Sequence, residues 1–176
     1  MDVLAEHCGI DSVSFKHRGG AMPSLEKSIF ISAPPDKVWA VASDYAQWHT
    51  WFEGLSAPRS VEGDGGLGTV IDHTVTVYNI PMPLKTTVVT CDVNARWRGE
   101  YTGPMTKGFQ EWTYTAASGD AGALGDAGAS GGTDVKLVME TELMGPAKLA
   151  QKMVLNAFDA LTAKALANLT ARVEGS

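Results

Sequence analysis

A chain of 176 residues can bury one sizeable core and is too short for two ordinary domains. Its composition, 44% hydrophobic and 19% charged with a net charge of −6, is that of a globular protein and supplies no basic stripe to neutralise a nucleic-acid backbone. No window approaches the roughly 18 uninterrupted apolar residues of a membrane span, and the N-terminal MDVLAEHCGIDSV lacks the basic and apolar regions of a secretory signal, so the expectation is a cytoplasmic protein without integral membrane association.

Residues 1–22 show no sustained period and read as a flexible extension, with residues 23–176 forming a single domain. From Ser24 to Ser32, Leu25, Lys27, Ile29 and Ile31 alternate with Glu26, Ser28 and Phe30, an imperfect strand that Pro34 and Pro35 end because neither can donate to a ladder. Proline suits the first turn of a helix and Asp36 suits its positive end, while Val38, Trp39, Val41 and Ala42 recur at helical spacing. A second short helix is expected from Tyr45 to Trp51, capped by Asp44, with Trp48, Trp51 and Phe52 at a cavity rim or the seam beneath it.

Antiparallel β structure is then expected at Pro58–Glu62, Thr69–Tyr78, Leu84–Val93, Arg96–Thr102, Lys107–Ala116 and Thr133–Leu143, separated by Gly, Pro or Asn. In the last of these Val135, Leu137, Met139, Thr141 and Leu143 alternate with polar or solvent-facing positions, so one face is buried and the other wet. The segment 117–132, in which GDAGA occurs twice, reads as a flexible Gly/Ala-rich loop. A closing helix is expected from Pro146 to about residue 172, roughly 40 Å long, with one apolar stripe through Leu149, Ala150, Met153, Val154, Ala157, Phe158, Leu161, Ala165 and Leu169.

Gly63, Gly65 and Gly68 match G-x-G-x-x-G, but a β-like run follows instead of the helix that would hold a pyrophosphate, so a dinucleotide site is not expected. A turn that needs positive φ at its glycines is the simpler reading. His7, His17, His49 and His73 show no metal-ligand spacing, Cys8 and Cys91 form no metal motif or evident pair, and there is no G-x-S-x-G elbow. No metal and no cofactor are expected. Two free thiols fit a reducing compartment.

His73 shares a face with Ile71, Val75 and Val77, and is either a core histidine bonded to a neighbour or a polar handle or general base in a cavity; Asp72 should point the other way. Lys85, Arg96, Arg98, Glu100 and Glu111 are expected on a solvated outer face. Trp97 and Tyr101 share one strand face, and Gln110, Trp112 and Tyr114 share another, with Val89 on the strand between Leu84 and Val93. These rows, with Leu137 and Met139 from the last strand and Met153, Ala157, Phe158 and Leu161 from the helix, form either a filled core or the wall of a ligand cavity.

Three stretches carry a family resemblance over residues 24–174: ISAPPDKVWAVASDYAQWHTW, the glycine-rich VEGDGGLGTV, and GGTDVKLVMETEL. Their order and spacing resemble the START-like, Bet v 1-like superfamily, also called SRPBCC or the polyketide cyclase/dehydrase and lipid-transport group. The resemblance implies an α+β helix-grip fold, in which a seven-stranded curved antiparallel sheet wraps a long C-terminal helix and two short helices follow the first strand. It implies a glycine-rich loop at a cavity rim, and a ligand space between sheet and helix.

The leading expectation is therefore binding, and transport in some settings, of a small hydrophobic or aromatic ligand such as a lipid, isoprenoid or polyketide-like molecule. Its contacts would be His73, Val75, Val89, Trp97, Tyr101, Gln110, Trp112, Tyr114, Leu137, Met139, Met153, Ala157, Phe158 and Leu161. The alternative is a cofactor-free cyclase or aromatase in which His73, Tyr101 or Tyr114 moves protons. A third reading is a protein-binding module. The chain is expected to act as a monomer or homodimer.

Overall fold

The computed structural model describes residues 23–117 and 131–175, so the extension 1–22 with Cys8, His7 and His17, and most of the loop at 117–132, lie outside the described residues. Seven strands form one antiparallel sheet: β1 Ser24–Ile31, β2 Ser60–Glu62, β3 Val70–Val77, β4 Ile80–Asp92, β5 Arg96–Thr102, β6 Thr106–Ala116 and β7 Thr133–Leu143. Their spatial order is β1-β7-β6-β5-β4-β3-β2. Strands β2 to β7 pair in sequence order, and β1 joins at the far edge against β7.

After β1 the chain leaves the sheet through helix α1, Pro35–Ala42, with Pro34 extended at its N-cap and Pro35 and Asp36 in the first turn. A 3-10 helix, Tyr45–Thr50, follows; Asp44 precedes it but makes no side-chain cap. The chain closes with a second 3-10 helix, Gly145–Ala150, leading into helix α2, Gln151–Glu174. This is the curved-sheet-and-helix architecture expected of an α+β helix-grip fold.

Two expectations change. The strand expected to begin at Leu84 begins at Ile80, because Tyr78 and Asn79, at φ 50° and 62°, make a tight turn that keeps β3 and β4 in register. Pro81 and Pro83 are tolerated because β5 pairs with β4 only from Lys85 onward, leaving this stretch free on one side. The long helix likewise does not start as an α-helix. Its first turn is 3-10, which winds more tightly and shifts the phase of everything after it.

The expected apolar stripe holds at Val154, Phe158, Ala165 and Leu169 but not at its N-terminal end. Leu149 is 97% exposed and Met153 48% exposed, while the buried positions of α2 are Val154, Phe158, Thr162, Ala165, Leu166, Leu169 and Val173. These pack with Trp39, Trp112, Val135 and Leu137 at one end of the sheet and with Val75, Leu84, Tyr101 and Met139 at the other. Lys27 is the inward-facing charge of β1; only 6% exposed, it reaches Asp159 of α2 at 2.9 Å and ties the helix to the sheet edge. Among the described residues no helix is long and apolar enough to cross a membrane.

Candidate functional site

The concave face of β3–β7, the segment from α1 through Leu55, and Phe158 of α2 surround a void. The sheet contributes His73, Val75, Leu84, Thr86, Trp97, Tyr101, Gln110, Trp112, Tyr114 and Met139. The segment after β1 contributes Trp39, Ala42, Ser43, Trp48, Trp51, Phe52 and Leu55. The space between all these atoms totals about 680 Å³ with its opening to solvent included, but the part that the centre of a water-sized sphere can reach is about 40 Å³. The smaller figure governs what fits: room for one or two waters, and for no ring system unless side chains move.

The wall is held by ring contacts and by a few hydrogen bonds. Trp48 stands edge-on to Tyr45 at 5.0 Å, to Trp97 at 5.5 Å and to His73 at 6.2 Å, Trp39 meets Tyr114 at 5.5 Å, and Trp51 meets Trp112 at 6.2 Å. The Trp48 indole donates to the Ala42 carbonyl at 2.7 Å and the Trp97 indole to Tyr45 Oη at 2.9 Å. Tyr45 Oη in turn donates to the Gly65 carbonyl at 2.6 Å. Gly63, Gly65 and Gly68 all sit at positive φ, as the turn reading requires, and at Gly63 a Cβ would meet Thr69 Oγ1 at 2.6 Å. The glycine-rich loop thus connects to the void through Tyr45 and Trp97 and contributes no lining residue of its own.

Gly99 is the glycine that shapes the void. It faces inward on β5, where a Cβ would lie 2.4 Å from the Trp97 ring and 2.7 Å from the Thr86 methyl, so its bare backbone is what lets Trp97 lie flat against the sheet. At Gly108, opposite Tyr101, a Cβ would meet Tyr101 Oη at 2.8 Å; the same hydroxyl donates to the Glu140 carbonyl at 3.0 Å and pairs with Thr141 Oγ1 at 2.5 Å.

His73 is 4% exposed, with Nε2 3.0 Å from Thr86 Oγ1. Burial pulls its pKa down to about 4; Asp72 pulls it up less, and Arg59 pulls it down further. The imidazole is therefore neutral at neutral pH. Asp72 lies on the opposite face of β3, ion-paired with Arg59. Burial raises the pKa of Tyr101 and, more strongly, of Tyr114, so neither is a base at neutral pH, and the Tyr101 hydroxyl is already engaged.

Of the residues expected at a ligand, His73, Val75, Trp97, Tyr101, Gln110, Trp112, Tyr114, Met139 and Phe158 face the void. Val89 does not: Met82, Leu84, Thr86 and Val88 are the inward positions of β4, and Val89 lies on the outer face, 37% exposed. Leu137 is fully buried in packing beneath the wall. Met153, Ala157 and Leu161 flank the buried line of α2 and do not line the void: Met153 is half exposed, and Ala157 and Leu161 pack, partly buried, against the core clusters instead. Charges expected on the outer face form ion pairs there, Arg96 with Glu111 at 2.7 Å and Arg98 with Glu111 and Glu100 at 3.5 Å.

The aromatic run after β1, expected at a rim or the seam beneath it, supplies Trp48, Trp51 and Phe52 to the wall itself, whereas Thr86 and Gly99 carried no local signal. Among the described residues, three buried polar side-chain atoms outside ion pairs have no partner: Trp51 Nε1, His73 Nδ1 and Thr162 Oγ1. The first two belong to side chains of the void wall. No three His, Cys, Asp or Glu of the described residues come together as a metal site.

A family model described as polyketide cyclase / dehydrase and lipid transport matches residues 22–174. Solved structures of similar fold include a Thermus thermophilus protein, TTHA0849, with a TM-score of 0.70 at 20% identity, covering 87% of this chain and 98% of its own. The Zhui aromatase/cyclase of Streptomyces sp. R1128 has a TM-score of 0.69 at 15% identity, covering 88% and 94%. A START superfamily protein of Mycobacterium smegmatis has a TM-score of 0.63 at 16% identity, covering 86% and 97%. No curated protein matches in sequence.

Proposed function

Because the chain belongs to the polyketide cyclase/dehydrase and lipid-transport family, we propose that it binds a small, mainly apolar molecule in the void between sheet, α1 segment and α2. The observation that carries this reading is an internal wall built almost entirely of aromatic and aliphatic side chains that fails to close on itself. Burial of apolar ligand area, worth about 25 cal/mol per Å² before the costs of binding, supplies the affinity.

Admission requires movement, and the uneven packing of the last helix supports one direction for it. The 3-10 helix Gly145–Ala150 buries no side chain, and the first half of α2 buries only Val154 and Phe158. Displacing that end outward enlarges the void while the C-terminal half of α2 stays seated. The test is native mass spectrometry of freshly purified protein together with thermal denaturation against hydrophobic compounds. A co-purifying small molecule, or a rise in midpoint of about 2–4 °C per kcal/mol of linkage, is expected. No adduct and no shift across a lipid and polyphenol panel sinks the reading.

A second reading, catalysis of the cyclase or aromatase kind, is favoured by one feature: a neutral imidazole held in the wall with Nδ1 free. In it His73 accepts a proton from an enolisable polyketone held in the void. Equal turnover by wild type and His73→Ala removes that role.

A further inference from the structure

Trp51 separates itself from two other indoles of the void wall. The indoles of Trp48 and Trp97 spend their N–H groups on Ala42 and Tyr45, at 2.7 and 2.9 Å. Trp51 is 3% exposed and its Nε1 has no partner, although its backbone carbonyl accepts from Asn168 Nδ2 at 3.0 Å and its ring is fixed against Trp112. An indole N–H is a donor only, and among the described residues none accepts from it, which leaves the place to water or a ligand acceptor. His73, 4% exposed in the same wall, has Nδ1 buried without a partner among the described residues, while Nε2 pairs with Thr86. A buried polar group left unpaired costs about 1–3 kcal/mol, and proteins seldom carry two in one apolar enclosure without a use for them.

We infer that Trp51 Nε1 and His73 Nδ1 are the specificity-determining polar points of the void, selecting a ring-shaped ligand that carries a carbonyl or hydroxyl oxygen over the parent hydrocarbon. Trp51 donates to a ligand oxygen. His73 donates or accepts at Nδ1 according to whether Nε2 accepts from or donates to Thr86. Thr86 and Gly99 keep this arrangement in place: the first holds the imidazole edge, and the second leaves room for the Trp97 ring and the Thr86 methyl. The aromatic and aliphatic part of the wall sets size and shape, while Ser43, Gln110 and Tyr114 are further polar side chains in the lining. The inference rests on the proposed binding of an apolar molecule in the void.

The test compares naphthalene, 1-tetralone and 1-naphthol, titrated into the full chain and followed by the indole N–H resonances in proton–nitrogen NMR. The two oxygenated probes are expected to bind roughly fivefold or more tighter than naphthalene, the gain of about one net hydrogen bond, and to move the Trp51 indole proton downfield where naphthalene does not. Trp51→Phe should collapse the ratio toward one, His73→Phe should reduce it, and Val89→Thr on the outer face should leave it as in wild type. Equal affinity for all three probes, or a Trp51 resonance that does not distinguish them, overturns the inference while leaving hydrophobic binding intact, and means that water completes both atoms. Binding of none overturns the cavity reading itself, and this inference with it.

Discussion

From Thr162 to Val173, α2 buries Thr162, Ala165, Leu166, Leu169 and Val173, whereas from Gln151 to Leu161 it buries only Val154 and Phe158 and turns Met153 outward. The two halves are continuous and similar in composition, yet one shares a cluster with Ile31, Val38, Val135 and Leu137, none of which lines the void, and the other packs Val154 and Phe158 with Val75, Leu84, Tyr101 and Met139, bringing Phe158 to the void. Helical propensity does not account for the difference; what each half finds beneath it does. In the proposed entry of a ligand the second half keeps the fold and the first half moves, since it is held less by buried side chains than by polar ties: Gln151 to the Leu143 and Thr141 backbone at 2.7 and 2.9 Å, and Asp159 to Lys27 at 2.9 Å.

The contrast can be broken most forcefully by a cavity in the seated half. Leu169→Ala should cost about 2–5 kcal/mol in a urea denaturation, because a side chain with no exposure cannot be replaced by solvent. Acid acts on the other side of the comparison. His73 is held at a pKa of about 4 against about 6.5 when unfolded, so its contribution is complete above pH 6.5 and is lost as pH falls toward 4, when the unfolded chain takes up the proton first. The shift corresponds to about 3 kcal/mol, and His73→Gln should flatten the pH dependence of the denaturation midpoint across that window. A wild type as stable at pH 4.5 as at pH 7, after allowance for other groups, contradicts the burial of a neutral imidazole.

Asp159→Ala should cost about 2 kcal/mol by leaving Lys27 buried without its partner, and should speed amide exchange over residues 151–161 more than over 162–173. Uniform acceleration along the helix would mean that the pair does not mark a boundary. Smallest of all, Met153→Ser should change stability by no more than about 0.5 kcal/mol, since the side chain is half exposed. A loss comparable with that of Leu169→Ala would show that the first half of α2 is as firmly packed as the second.

The parts of this molecule that were legible in its residues were those governed by near neighbours. Pro34-Pro35 after an alternating run placed the end of β1 and the start of α1, and Val135 to Leu143 placed a two-faced β7. Gly63, Gly65 and Gly68 read correctly as a turn at positive φ because no helix pattern followed. Misreadings came where a distant partner decided. Pro81 and Pro83 looked like breaks and sit in a strand because β5 stops short of them. Thr162, polar and fully buried, lay outside the apolar stripe, while Leu149, in the stripe, is in water.

What the sequence determined by itself was the order of elements, the inward faces of β3, β5, β6 and β7 and hence the aromatic character of the interior, because side-chain alternation and proline chemistry act within a few residues; on β4 Val89, beside the register shift between Val88 and Thr90, escaped it. Tertiary structure alone decided which of those side chains meet a space and which are packed solid. The seating of α2 on the sheet, fixed by the packing of Val154, Phe158, Ala165, Leu166, Leu169 and Val173, brings Phe158 to the void and leaves Met153, Ala157 and Leu161 out of its lining. The state of Trp51 is settled in the same way: an indole is identical in any sequence, and only the positions of all neighbouring acceptors determine that this one is left without a partner.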